Sequence, residues 1–103
     1  MASYGGKIQD YRASVWSQSE SREWQMMLHG DFGVVNINFV SEKNRLGVNR
    51  KHGDVFEVYY MKEAWAPIID LLRNEDSTGF FFRDTDNAAM IYTGREPVGE
   101  EES

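Results

Sequence analysis

Two kinds of hydrophobic periodicity run along this chain, and they divide it into predicted strands and one predicted helix. Residues 34–40 (VVNINFV) show the clearest strand pattern, because Val35, Ile37 and Phe39 alternate with polar or smaller neighbours. Apolar residues at every second position indicate a strand with one face on a core and the other in water. The same alternation predicts strands over residues 7–17, 23–30 and 55–60.

From Met61 onward the apolar spacing changes from two to three or four residues, which predicts a short helix. The apolar stripe of this helix consists of Met61, Trp65, Ile68 or Ile69, and Leu72. Pro67 lacks an N–H group, and proline is tolerated without loss only in the first turn, where that donor would have no partner. The helix is therefore predicted over about residues 64–74.

Turn-forming residues separate the predicted elements. The sequence GDFG at residues 30–33 predicts a hairpin connection between the second and third strands. The sequence DTDN at residues 84–87 predicts another hairpin, formed by the last two strands. Between these hairpins, residues 41–54 form a long, polar and basic connection in which a short strand is expected at residues 46–48.

The order of these elements indicates an α+β or mainly β domain: a curled antiparallel sheet with one short helix before the last two strands. Over residues 7–94 this order, with a glycine before the first strand, resembles the OB-fold, in which a helix follows three strands and precedes two. The strand at residues 55–60 is an addition to that pattern. The resemblance implies a small barrel, and an open sheet with the helix across one face is the alternative.

Charge changes this picture mainly at the C-terminal end. A chain of 103 residues with 41% hydrophobic content is sufficient for one domain with its own core. The net charge of −6 comes largely from residues 96–103 (EPVGEEES), which hold four of the seventeen acidic residues and no basic one. We therefore expect a nearly neutral globular domain over residues 1–95, followed by a disordered acidic tail.

The sequence shows no catalytic or metal-binding constellation. The absence of cysteine excludes disulfides, zinc–thiolate sites and thiol nucleophiles. His29 and Asp31 lie two residues apart, but no nucleophile motif accompanies them. The DTDN sequence has alanines at positions 88 and 89, where a calcium loop needs an oxygen ligand and a glycine. We expect a protein that is not an enzyme and uses no metal or cofactor.

Targeting features also bear on the cellular location. Residues 1–7 contain no apolar leader, and no apolar run approaches the roughly 20 residues that span a bilayer. A chain without cysteine fits a reducing interior. We therefore expect a cytoplasmic protein with no membrane partner.

A basic segment within residues 43–52 gives the most specific functional indication. Its four basic residues, with no acidic residue among them, are Lys43, Arg45, Arg50 and Lys51. Proteins that bind single strands combine such cations, which contact phosphates, with aromatic rings on which bases stack at about 1–3 kcal/mol per base. The candidate stacking rings, expected on the solvent side of the sheet, are Trp16, Phe32 and Tyr59. The sequence thus predicts a binding module for single-stranded nucleic acid.

The aromatic content supports an alternative of a different class. Aromatic residues make up 14% of the chain, and there are five methionines. Exposed Trp, Tyr and Met side chains are enriched in protein interfaces. A protein-interaction or homo-oligomerising domain is therefore the second hypothesis, and the sequence leaves both open.

Overall fold

One curled sheet of seven strands, a half-barrel with a single α-helix, forms the framework of the protein. The computed structural model describes residues 2–18 and 23–94; the predicted acidic tail lies outside this range. The elements are β1 (Ser3–Val15), β2 (Trp24–Gly30), β3 (Gly33–Val40), β4 (Arg50–His52), β5 (Val55–Met61), α1 (Trp65–Asn74), β6 (Thr78–Arg83) and β7 (Ala88–Thr93). The predicted fold class, an α+β or mainly β domain with a curled sheet, is confirmed.

The strands follow the order β4-β5-β3-β2-β1-β6-β7. Each neighbouring pair is antiparallel except β3 with β5, so the sheet that the sequence predicts as antiparallel contains one parallel pair. The two edges, β4 and β7, approach each other at one end, where Asn49 Nδ2 donates a hydrogen bond to the backbone oxygen of Asn87 at 2.9 Å. This curvature is compatible with an OB-like fold.

Strand β1 joins the two halves of the sheet because it changes partner midway. Its first five residues pair with β6, and from Ile8 onward it pairs with β2. The register shifts at Gln9, where one extra residue forms a β-bulge. A regular strand would place residues three apart on opposite faces, but the bulge lets Ile8 and Tyr11 both pack on the core.

Alternate residues of the strands fill the inside of the half-barrel. Phe39, Phe56, Phe80 and Phe82 are the largest fully buried side chains. The Phe56 ring lies centrally, with centroid distances of 5.1 Å to Phe80 and 5.4 Å to Phe82. The phenylalanine rings thus join β5 directly to β6 across the curl. The remaining buried hydrophobic residues are Ile8, Met26, Leu28, Val35, Ile37, Val40, Val58 and Ile68.

Helix α1 covers one end of this core. It begins at Trp65, after a 3₁₀ turn at Lys62–Ala64, and Pro67 lies in its first turn as predicted. The Trp65 ring packs edge-on against Phe39 and Trp24, with centroid distances of 4.9 Å and 5.2 Å. A helix of ten residues is marginal alone, so these contacts stabilise it. Within the described residues, no helix has the length and apolarity to cross a membrane.

The connection between β3 and β5 differs from the prediction at one point. The strand expected at residues 46–48 is wrong, since Leu46 and Val48 are 40% and 61% exposed and β4 lies at Arg50–His52. Gly53, with a φ of 62°, and Asp54 form a tight hairpin turn that holds β4 against β5. The connection is long because two parallel strands require the chain to return along their length.

Replacing Trp65 with alanine tests the importance of the helix contact. We expect Trp65→Ala to lower the free energy of unfolding by about 2 kcal/mol, because the half-buried ring loses its apolar contacts with Phe39 and Trp24. Chemical denaturation followed by circular dichroism measures this difference. Ala66→Ser, on the exposed side of the same helix, should change the stability by less than about 0.5 kcal/mol. Equal, small effects of the two substitutions would contradict the assigned packing.

Candidate functional site

The side of the sheet opposite the core carries a connected set of polar and aromatic side chains. We call this surface the outer face. It consists of Trp16, which directly follows β1, and of residues on β2, β3 and β5: Gln25, Asn36, Asn38, Glu57 and Tyr59. These positions alternate with buried residues along each strand, so the two-residue period of the strands brings them together. The pairing of the strands then sets which of them touch.

Four hydrogen bonds connect these side chains across the sheet. Trp16 Nε1 donates to Gln25 Oε1 at 2.9 Å, and Gln25 Nε2 donates to Asn38 Oδ1 at 3.0 Å. The two carboxylate oxygens of Glu57 accept from Asn38 Nδ2 at 3.1 Å and from Asn36 Nδ2 at 2.9 Å. Because each amide is held by a neighbour, the surface presents its remaining donors and acceptors in fixed orientations.

Two arginines flank the centre of the outer face. Arg12, Met27, Asn36, Glu57 and Arg50 lie directly opposite one another on successive strands. Both arginines are exposed. At about 4.8 Å per strand their backbones lie roughly 19 Å apart along the row. Arg12 is absent from the sequence-based site, although its phase along β1, the same as that of Trp16, could have identified it.

Trp16 and Tyr59 both lie on the outer face, as predicted for stacking rings. Trp16 is 45% exposed. Tyr59 is half-buried because the basic segment folds beside it: its backbone N–H donates to Asn49 Oδ1 at 2.9 Å. A Cβ on Gly47 would lie only 2.6 Å from the Tyr59 ring, so glycine permits this close approach.

The predicted outward position of Phe32 is wrong. Its ring folds into the core, with centroid distances of 5.2 Å to Phe80 and 6.4 Å to Phe56. Gly30 makes this possible, because a Cβ there would come within 2.4 Å of the ring. Phe32 belongs to a hairpin turn, where strand alternation does not decide the direction of a side chain, so the sequence pattern could not place it.

The four bases of the basic segment do not form one surface. Arg50 lies on the outer face and Lys43 is exposed. Lys51 lies directly opposite the buried Phe56, and its Nζ sits 4.5 Å from the centroid of the Tyr4 ring, on the core side. The prediction that Lys51 joins the outward cations is therefore wrong, because alternation along β4 turns consecutive residues to opposite faces.

Arg45 is held by an ionic cluster centred on Glu23. Glu23 Oε2 accepts from Arg45 at 3.0 Å, and Oε1 accepts from Lys62 Nζ and Ser41 Oγ, each at 3.0 Å. The Glu23 side chain is only 12% exposed. The hydrogen bond from Lys62, assisted by those from Ser41, lowers the pKa of Glu23 below its ordinary value. The cluster fixes the basic segment and the approach to α1 against the start of β2.

Comparison of the chain with protein-family models, curated proteins and solved structures finds no match. Over residues 2–18 and 23–94, no group of three His, Cys, Asp or Glu side chains could hold a metal ion. The geometry of the outer face is therefore the basis for any functional assignment.

The Glu23 cluster makes the stability depend on pH in acid. Because folding lowers the pKa of Glu23, its stabilising effect is complete above the unfolded pKa of about 4.5 and is lost as the pH falls through the lower folded value. We expect Glu23→Gln to be less stable than the parent protein at pH 7, with the difference shrinking towards pH 3. Urea unfolding across this range measures it.

Glu63→Gln is the matched control, since Glu63 is exposed. Its stability profile should follow that of the parent protein. A constant difference between Glu23→Gln and the parent protein at every pH would show that the carboxylate does not titrate against its partners.

Proposed function

We propose that this protein is a non-catalytic binding module that holds single-stranded nucleic acid on its outer face. The observation that supports this most directly is the hydrogen-bonded row that runs from the exposed Trp16 to Glu57, with Arg12 and Arg50 at the sides. An aromatic platform, fixed polar groups and flanking cations are the three components that a single strand requires.

The polar centre of the outer face suits bases that carry an amino group. A base stacked on Trp16 directs its edge towards neighbouring amides, which can donate and accept hydrogen bonds. Glu57 keeps acceptor capacity after its bonds from Asn36 and Asn38, since two carboxylate oxygens offer about four lone-pair sites. Carboxylates accept from the amino group of cytosine, and the adenine amino group offers the same chemistry. Strands of cytosine and adenine should therefore bind better than strands of thymine.

Phosphate contacts contribute less than stacking in this arrangement. Arg12 and Arg50 bring two positive charges to the outer face, and Asp10 and Glu57 bring two negative ones. For two neutralised phosphates on a single strand, log K falls by only about 1.4 per unit of log salt. We therefore expect modest, weakly salt-dependent affinity with a clear dependence on base type.

An OB-like relationship belongs to the same proposal. OB-folds bind oligonucleotides on the face of a curled sheet, and the half-barrel has the curvature for this role. The absence of cysteine favours the cytoplasm as the place where the protein works.

Titration with fluorescent oligonucleotides of roughly 12 nucleotides tests the proposal. We expect oligo-dC and oligo-dA to bind more tightly than oligo-dT, and Trp16→Ala to weaken binding by about 1–3 kcal/mol through lost stacking. Arg12→Gln and Arg50→Gln should each reduce the salt slope by about 0.7. Glu57→Gln should remove the preference for amino-bearing bases.

Arg73→Gln, an exposed position on α1, is the charge-matched control and should leave affinity and salt slope unchanged. Absence of binding to all three oligonucleotides at low salt would contradict the proposal. An equal effect of Arg73→Gln and Arg50→Gln would show that only net charge matters.

Self-association is a second candidate, and the edge strand β7 favours it. Among the described residues, β7 ends the sheet and carries no charge and no proline, the features that usually protect an edge. Met90 and Tyr92 are 48% and 37% exposed on it. Antiparallel pairing of two copies centred on Ile91 would place Met90 of one copy opposite Tyr92 of the other, a favourable sulfur–aromatic contact.

The oligomeric state in solution tests this second candidate. We expect sedimentation equilibrium to show a dimer that Met90→Lys combined with Tyr92→Lys converts to a monomer, because like charges would face each other across the new pair. Ala66→Lys, an exposed position on α1, should leave the dimer intact. A monomeric parent protein at all concentrations would exclude association through β7.

A further inference from the structure

The C-terminal half of β1 has a strand on one side only. In the N-terminal half, residues Ser3 to Lys7 pair with β6, which begins at Thr78 and reaches no further along β1 than Lys7. From position 9 to Val15 the strand pairs with β2 alone within the described residues. Along this part of β1, the backbone N–H and C=O groups on the side opposite β2 therefore have no strand partner. This is the side on which β6 pairs with residues 3–7.

A groove of about 620 Å³ begins at this unpaired edge. Residues 7–11 of β1 form one wall, and Leu72 at the end of α1, Glu75, Asp76 and Thr78 form the other. The chain leaves α1 at Glu75 in an extended conformation, with φ of −101° and ψ of 140°. The groove therefore lies between the unpaired edge of β1 and the connection that leads from α1 into β6.

The core side of β1 is also uncovered along this edge. Tyr11 packs on the core, but Val15 is 63% exposed and Ala13 is exposed as well. Ala13 lies opposite the fully buried Met26, so it is on the face of the sheet that packs on the core. An added strand would place alternate side chains over Tyr11, Ala13 and Val15, where they would bury apolar surface as well as satisfy the backbone.

The charge of the groove indicates the occupant. The carboxylates of Glu75 and Asp76 line it against a single base, Lys7. This excess of carboxylates favours a basic segment and disfavours residues 96–103 of the chain itself, which carry four glutamates and no base. We propose that the edge of β1 from residue 9 to Val15 captures an extended peptide of a partner protein. Its apolar side chains alternate along the core side, and its lysine or arginine residues lie near Glu75 and Asp76.

Selection from a phage-displayed library of random peptides, with the full chain immobilised, tests this inference. We expect enrichment of peptides in which apolar residues alternate and lysine or arginine is present. For an enriched peptide synthesised with a fluorescent label, Glu75→Lys combined with Asp76→Lys should weaken the Kd by roughly tenfold. Glu63→Lys, a charge reversal at an exposed position beside α1, should leave it unchanged.

Hydrogen exchange followed by NMR identifies the mode of binding. Amides between residue 9 and Val15 that exchange freely in the protein alone should become protected when the peptide binds, because they enter new strand pairs. Failure to enrich basic alternating peptides, or binding without protection in this part of β1, would overturn the inference. Loss of protein self-association in Glu75→Lys/Asp76→Lys, without any peptide binding, would assign the edge to a second copy and also overturn it. None of these outcomes bears on the proposed binding of oligonucleotides to the outer face, which is tested separately.

Discussion

This structure depends on one constraint: strand β1 must pair with two different strands. β1 pairs first with β6 and then with β2, yet both of its halves have to present apolar side chains to the same interior. The additional residue at Gln9 reconciles these requirements, because it shifts the alternation where the partner changes. Without that shift, either Ile8 or Tyr11 would face solvent. The sheet curls around this point, and the aromatic core fills the space that the curl encloses.

The same strand separates the surfaces that can bind. Beyond the bulge, even-numbered residues of β1 such as Arg12 face outward beside the amides of β2 and β3, while odd-numbered residues such as Val15 face the inner side. The outer face is polar and internally hydrogen-bonded, which suits ligands whose edges carry hydrogen-bonding groups. The free edge offers backbone groups and an apolar strip, which suits another chain. These chemistries differ because the first lies on a face of the sheet and the second at its margin.

Periodicity predicted the parts of this fold in which neighbouring residues decide the outcome. Alternation located β3 and β5 because buried and exposed positions differ strongly there, and Pro67 located the start of α1 because its missing N–H permits few positions. Turn geometry and contacts distant in sequence decided the remainder. Phe32 turns inward because Gly30 leaves space under its ring. The basic side chains of residues 43–52 lie on different surfaces for two reasons. Consecutive residues of β4 face opposite sides of the sheet, and Glu23, about twenty residues earlier, binds Arg45.

The bond between Asn49 and the backbone of Asn87 has a consequence for motion. It links the residue before β4 to the β6–β7 turn, whereas each edge strand is joined to its own neighbour by a ladder of backbone bonds. One such bond contributes about 1 kcal/mol, so thermal agitation breaks it in an appreciable fraction of molecules at any instant. A bond of this size closes the curl less firmly than the backbone ladders hold each edge strand, so we expect the contact between Asn49 and the β6–β7 turn to open before either edge strand separates from its own neighbour.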